Sequence, residues 1–266
     1  MRKSLIFVVC ILGILLSISA NSHAKIADND IIALWTFDTG GKEDAVDISG
    51  NGHDGTLDLG ASIGGGKVGS GAHLDGEKGQ IITVENDDAL NVTKQLSIVA
   101  WVKWNEGGVE HGGVRQWPMI VNKAPINAAY LLFLDTGDAV NAARPSIAFR
   151  MNGPGTVYSN VTVEEETWYH AAGTYDGEAI KIYIDGEFSN ELKASGDIAT
   201  TTDVLTIGAG KGAAGNRFDG IVDEVGLFNR ALTDDEVKET MVGFDKMLAV
   251  EPNGKLANTW GALKYR

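Results

Sequence analysis

Trp168 to Phe188, WYHAAGTYDGEAIKIYIDGEF, constrains the fold more than any other stretch. Ile180, Ile182 and Ile184 alternate with Lys181, Tyr183 and Asp185. A period of two places the three isoleucines on one face of a strand. Asp176-Gly177 and Asp185-Gly186 mark turns, because glycine enters positive φ freely and aspartate tolerates it. The stretch reads as two antiparallel strands joined by a tight turn, with a second turn after them. A lone strand pair cannot bury its apolar face, so the rest of the chain must supply a cover.

The same signature recurs along the chain. Ile31 to Phe37 is a compact apolar strand, and Ala72 to Leu74 and Gln80 to Val84 flank an Asp75-Gly76 turn. Leu96 to Trp104 alternates, with Leu96, Ile98, Ala100, Val102 and Trp104 on one face and Ser97, Val99, Trp101 and Lys103 on the other. Met119–Asn122, Tyr130–Asp135, Ser146–Arg150, Thr156–Ser159, Val204–Ile207 and Gly220–Phe228 follow as short strands. Asp38 to Gly55 and Gly60 to Gly71 read as loops, and Asn105 to Pro118 as a long exposed loop. Short strands at this spacing, without helices between them, predict an all-β, two-sheet antiparallel sandwich or jelly roll rather than a parallel α/β sheet. One short C-terminal helix is expected. Thr233-Asp234-Asp235-Glu236 forms a capping box, Val237 and Met241 share a face, and Gly243 ends it.

The N-terminus has the layout of a secretory signal peptide. Arg2 and Lys3 precede an apolar run from Leu5 to Ile18, and Ser22-His23-Ala24 offers small residues for cleavage after Ala24. The predicted organisation is a signal peptide over 1–24, one domain over 25–244, and a tail over 245–266 that adds a strand or docks on the sheet. The predicted location is outside the cell, in the periplasm or at the cell surface, with no membrane insertion once the leader is removed. Cys10, the only cysteine, lies within the leader, so the remainder relies on its core or on bound metal. A formal net charge of −14 disfavours nucleic acid and anionic lipid and favours divalent cations.

Five segments in order, ALWTFDTG, DISGNGHDGTL, SIVAWVKW, WYHAAGTYDGEAIKIYIDG and FDGIVDEVGLFNRALTDDEV, resemble LamG-like jelly-roll domains of the concanavalin A-like lectin/glucanase superfamily. The resemblance spans roughly Ile31 to Val242. It implies two antiparallel sheets with the first and last strands adjacent, recognition of carbohydrate or protein, and a structural Ca²⁺ in many members. Function sits in sites placed on a fold, so those sites are read from the residues.

Asp223 lies in an otherwise apolar strand, where a carboxylate is costly unless paired or metal-bound. Asp38 ends the first strand and Asp75 sits at a turn. With first and last strands adjacent, Asp38 and Asp223 can share Ca²⁺ with nearby carbonyls, and Asp38, Asp75 and Asp223 are the candidate ligands. The competing reading is a solvated strand end or bonds to loop amides. Asp47, Ser49, Asn51, Gly52 and Asp58 follow EF-hand-like spacing but lack flanking helices and the bidentate glutamate, which favours an Asx turn. For sugar binding, an aromatic face and planar polar groups are needed. Trp117, Arg115 and His111 in one loop, with Tyr130 and Arg150 on strands, are the candidates. No paired-carboxylate strand of the glycosidase kind appears. Glu85-Asn86-Asp87 lacks a third acid, Glu164–Glu166 is a charge run, and Asp223 and Glu224 are adjacent and so expected to face opposite ways. The function expected is therefore a non-enzymatic module binding glycan, or alternatively an extracellular or envelope protein for adhesion or surface assembly. A glycoside hydrolase is the third reading.

Overall fold

The computed structural model describes residues 26–41, 44–105, 117–123, 129–137, 145–210 and 216–249. In chain order the strands are β1 (Ile31–Trp35), β2 (Asp44–Ala45), β3 (Gly55–Asp58), β4 (Ser62–Gly65), β5 (Ser70–Leu74), β6 (Ile81–Val84), β7 (Leu96–Trp104) and β8 (Met119–Lys123). They continue as β9 (Tyr130–Asp135), β10 (Ser146–Met151), β11 (Gly155–Tyr158), β12 (Trp168–Tyr175), β13 (Ala179–Ile184), β14 (Glu187–Lys193), β15 (Leu205–Ile207) and β16 (Gly220–Phe228). The first sheet runs β14-β13-β12-β7-β16-β5-β4, with β1 added on β16. The second runs β11-β10-β9-β8-β15-β6-β3-β2. All the ladders are antiparallel, so the two-sheet sandwich expected from the alternation is the fold.

Alternation decides what fills the space between the sheets. Ile98, Ala100 and Val102 of β7 and the isoleucines of β13 share one buried cluster with Ile120, Leu132, Phe149 and Ile207 of the second sheet. Gly173 on β12 lies directly beneath the Phe149 ring, which occupies the place of a Cβ. Gly173→Ala is therefore expected to cost about 1–3 kcal/mol through overpacking. That corresponds to a fall of roughly 2–12 °C in Tm for a chain of this size. An unchanged thermal melt would show that the ring can move aside freely.

β16 is the pivot of the first sheet. One edge pairs with β7 throughout. On the other edge its first half pairs with β5, Val222 opposite Ala72, and its second half with β1, Val225 opposite Trp35. The register slips between Asp223 and Gly226, and Glu224 takes a left-handed φ of 48°, a β-bulge at the change of partner.

The outer face of the first sheet is covered by α1 (Asp234–Thr240) and α2 (Phe244–Ala249). Leu34, Val99, Tyr183, Val237, Phe244 and Leu248 form the second buried cluster there. The predicted capping box is present: Thr233 Oγ1 accepts from Glu236 N–H at 3.3 Å, and the Glu236 carboxylate accepts from Thr233 N–H at 2.8 Å. The tail begins as helix α2 docked on the sheet; residues 250–266, with Trp260, lie outside the described residues. His170 is fully buried under α1, edge-on to Trp101 at 5.3 Å and 3.2 Å from Thr240 Oγ1. Burial pushes its pKa down to about 3, so the ring is neutral.

Four strands depart from the sequence reading. β2, β3 and β4 lie in stretches read wholly or partly as loops, and β14 was not anticipated. β4 is Gly-rich and β14 carries exposed polar residues over most of its length. Both are sheet edges, where one unpaired side removes the need for an apolar alternation.

Candidate functional site

The change of partner along β16 leaves a gap between the end of β1 and the start of β5, and acidic side chains fill it. Val222 and Val225 both point into the core, so the bulge leaves Asp223 and Glu224 on the same outer side, rather than on opposite faces as strict alternation requires. Asp223 lies against the turn 66–70 and Glu224 against the start of α2. Asp223 Oδ2 accepts from Lys67 N–H at 2.8 Å and Val68 N–H at 2.9 Å, and its Oδ1 accepts from Glu224 N–H at 2.7 Å. Asp38 Oδ1 accepts from Ser70 N–H at 2.6 Å. Gly66 and Gly69 leave no room for a Cβ against these carboxylates. Glu224 Oε2 accepts from Phe244 N–H at 2.6 Å, which ties the bulge to the start of α2.

The electrostatics of this gap are one-sided. Burial pushes Asp223 up to about 6 and Glu224 up to about 8, and repulsion from Asp38 adds to both. Asp245 is also raised, by burial and then by Asp38. Among the described residues no Lys or Arg pairs with any of the four. The nearby Lys67 Nζ sits instead over the Trp101 ring, 4.5 Å from its centroid. Glu224 is 1% exposed and its Oε1 has no hydrogen-bond partner, an arrangement costing about 1–3 kcal/mol or more for a charged group. No three acidic, His or Cys side chains among the described residues already converge as a ligand set. The carboxylates make the loop-amide bonds that formed the competing reading, and they keep an unused acceptor. Asp75 is not with them. It follows β5 at the far end and pairs with Lys78 at 2.5 Å, which lowers its pKa. Glu224 was missed as a partner of Asp223 because a bulge has no signature in residue spacing.

The sugar candidates are scattered. Tyr130 faces the core, 2% exposed, and its OH donates to Leu90 O at 2.9 Å, so it presents nothing to a ligand. Trp117 is 41% exposed just before β8. Arg150 projects outward from β10, since Ile147, Phe149 and Met151 point to the core. Met119 pairs with Phe133, and Arg150 with Leu131, so Trp117 and Arg150 stand toward opposite ends of this face. His111 and Arg115 lie outside the described residues. Beside Arg150 the structure places a residue that was not anticipated as a contact. Tyr158 on β11 opposes Ala148, and Thr156 opposes Arg150, making Tyr158 a diagonal neighbour of Arg150 on the outer face. Tyr158 is 39% exposed and packs edge-on to Phe133 at 6.2 Å. Arg150 has no hydrogen-bond or ion-pair partner among the described residues.

Three of the carboxylates weighed for catalysis, Asp87, Asp223 and Glu224, have structural tasks. Asp87 accepts from Ala89 N–H at 2.8 Å as the cap of a short helical turn. Asp223 and Glu224 are 0% and 1% exposed beneath a turn and a helix.

An all-β sandwich of two eight-stranded antiparallel sheets defines a lectin-like class of domain. The Laminin_G_3 model, described as Concanavalin A-like lectin/glucanases superfamily, matches residues 75–238, and the chain belongs to that family. No curated protein matches it. Among solved structures it is similar to domain 4 of AbnA, a GH43 extracellular arabinanase from Geobacillus stearothermophilus, in complex with arabinotriose. The identity is 21%, with TM-score 0.60, 79% of this chain and 98% of that one covered. It is also similar to the binding domain of Paraclostridial Mosquitocidal Protein 1, at 15% identity, TM-score 0.61, with 79% and 51% covered. A third is the botulinum neurotoxin serotype D ligand binding domain in complex with N-acetylneuraminic acid, at 14% identity, TM-score 0.59, with 81% and 51% covered. The chain spans about half the length of these two toxin domains. No helix among the described residues is long and apolar enough to cross a membrane.

Proposed function

We propose that this chain is an exported, non-enzymatic carbohydrate-recognition module whose sugar contacts lie on the outer face of the second sheet and which carries a structural Ca²⁺. The observation that carries the recognition reading is the outward Arg150 guanidinium, which has no partner among the described residues, diagonal to the half-exposed ring of Tyr158. An aromatic face packs against the C–H face of a sugar ring, and a planar fork of donors bonds its oxygens. Export rests on the leader read over residues 1–24, which lie outside the described residues. The complexes of the AbnA domain with arabinotriose and of the toxin domain with N-acetylneuraminic acid support the reading by fold analogy. Binding rather than hydrolysis is favoured because Asp223 and Glu224 are sealed from substrate, whereas glycosidase carboxyls must flank an accessible bond.

A glycan array followed by titration calorimetry tests this. Arg150→Ala and Tyr158→Ala are each expected to weaken the best glycan about tenfold or more, with Trp117→Ala as the third arm. Affinity untouched by all three would place the sugar elsewhere.

For the ion, Asp38, Asp223 and Glu224 supply hard oxygen donors of the type Ca²⁺ takes, with main-chain carbonyls and water completing its six to eight positions. The orphaned Oε1 of Glu224 fits such a role. A bound ion would neutralise the mutual repulsion and fix the 66–70 turn against β16.

A further inference from the structure

The part of the first sheet that α1 and α2 leave open carries a row of outward side chains running across the strands. Trp168 on β12 opposes Lys103 on β7, Lys103 opposes Ile221 on β16, and Ile221 opposes His73 on β5. Their neighbours Val102, Val222, Ala72 and Leu74 point into the core, so all four face outward, and all four are partly exposed. Adjacent strands lie about 4.8 Å apart, so three spacings give a row of roughly 14 Å, a length suited to a short oligosaccharide.

The row is flat because its neighbours are glycines. The His73 ring lies over Gly64, where its Nε2 would be 2.7 Å from a Cβ, and it reaches Gly65 O at 3.1 Å. The Ile221 side chain lies over Gly71 in the same way, 3.0 Å from a Cβ there. Lys103 Nζ stands 5.9 Å from the Trp168 ring centroid. Lys67, over Trp101, adds a second ammonium two residues along β7 from Lys103.

The charge along this row is mixed. Asp75 pairs with Lys78, and Asp219 accepts from Gly76 N–H at 3.0 Å and Asn105 Nδ2 at 3.3 Å. Glu164–Glu166 lie exposed at the Trp168 end, and the Lys103 ammonium stands at the ring itself. At physiological salt charge farther than about 8 Å is largely screened, so a carboxylate at the Trp168 ring meets the Lys103 ammonium first. Among the described residues the donors come singly, with no arginine fork and no cluster of free N–H groups of the kind that selects phosphate or sulfate.

We infer that the Trp168–Lys103–Ile221–His73 row is a second binding platform, for a polysaccharide whose sugar units carry carboxylates. A ring stacks on Trp168 and a carboxylate accepts from Lys103. The inference rests on the carbohydrate reading but uses the opposite face of the sandwich.

Affinity electrophoresis of the full chain in polygalacturonate, in its methyl-esterified form and in dextran sulfate tests it. The wild type is expected to be retarded by polygalacturonate and much less by the other two. Lys103→Glu and Trp168→Ala should each weaken that retardation roughly tenfold and Lys103→Gln less, at melting temperatures near that of the wild type. Arg150→Ala and Tyr158→Ala should leave it unchanged. Loss in the Arg150 and Tyr158 variants alone would overturn the platform and leave the second-sheet site standing. Equal retardation by dextran sulfate would overturn the carboxylate assignment, and no retardation of the wild type by polygalacturonate would overturn the platform outright.

Discussion

In a chelator, the Tm is expected to fall as pH rises from 5 to 8; in millimolar calcium it is expected to hold or rise over the same range. The sign follows from the buried acids in the gap between β1 and β5. Burial pushes Asp223 up to about 6 and Glu224 up to about 8, above the values they take in an unfolded chain, near 4. A carboxyl whose folded pKa is raised stabilises the fold fully below its unfolded pKa and loses that contribution as pH climbs through the folded one. The metal-free protein therefore gives up stability between about pH 4 and pH 8, on the order of a few kcal/mol for the coupled pair. An ion held by the ionised carboxylates binds only the native state and adds RT ln(1 + [L]/Kd). The separation between the two curves should widen with pH. Glu224→Gln should flatten the chelator curve, and Asp223→Ala should abolish the calcium effect. Superimposable curves in calcium and chelator would falsify the ion site.

Asp47→Ala is expected to be the most damaging single change in the polar loop after β1, lowering stability on the order of 4 kcal/mol. The Asp47 carboxylate is buried and accepts three main-chain N–H groups: Leu34 and Ser49 on Oδ1 and His53 on Oδ2, each at 3.0 Å. Hydrogen bonds to a charged acceptor each contribute about 1.5–3 kcal/mol, less than additively, and removal leaves buried donors unpaired. For a domain of this size the Tm should drop by roughly 8–16 °C. Asp47→Asn keeps one acceptor but turns a donor toward a donor, so it should recover only part of the loss. A drop of a degree or two, measured by calorimetry in chelator to remove any ion contribution, would mean water replaces the carboxylate cheaply.

That loop shows how far residue patterns reach. Asp47, Ser49 and Asn51 read as an Asx turn rather than an EF-hand, and the bonds of Asp47 and Asn51 are those of a turn stapled to β1: Asn51 Nδ2 donates to Ile31 O and Ile32 O at 2.9 and 3.0 Å. The faces of β7 and β13 were legible because both are central and buried on both sides, so each residue has one place to go. β4 and β14 were not, because an edge strand tolerates glycine and charge. Strict alternation separated Asp223 from Glu224, and one bulge reunited them. The pairing of β1 with β16 brings Asp38 near Asp223, as the adjacency of first and last strands predicts, whereas Asp75 lies at the other end of β5. Tyr130 looked like a sugar contact and is a core residue whose hydroxyl is spent on Leu90. Pattern gives which face a side chain takes but not which end of a face it shares.

One feature of β16 bears on when this chain can fold. The ribbon 220–228 is hydrogen-bonded to three others, two of which lie before residue 75. A ribosome releases residues in order, so β1, which among the described strands pairs only with β16, waits until every other strand has emerged before its partner exists. Hairpins such as β4–β5, β9–β10 and β12–β13 can pair as they emerge, but closure of the first sheet must be a late, collective event of high contact order.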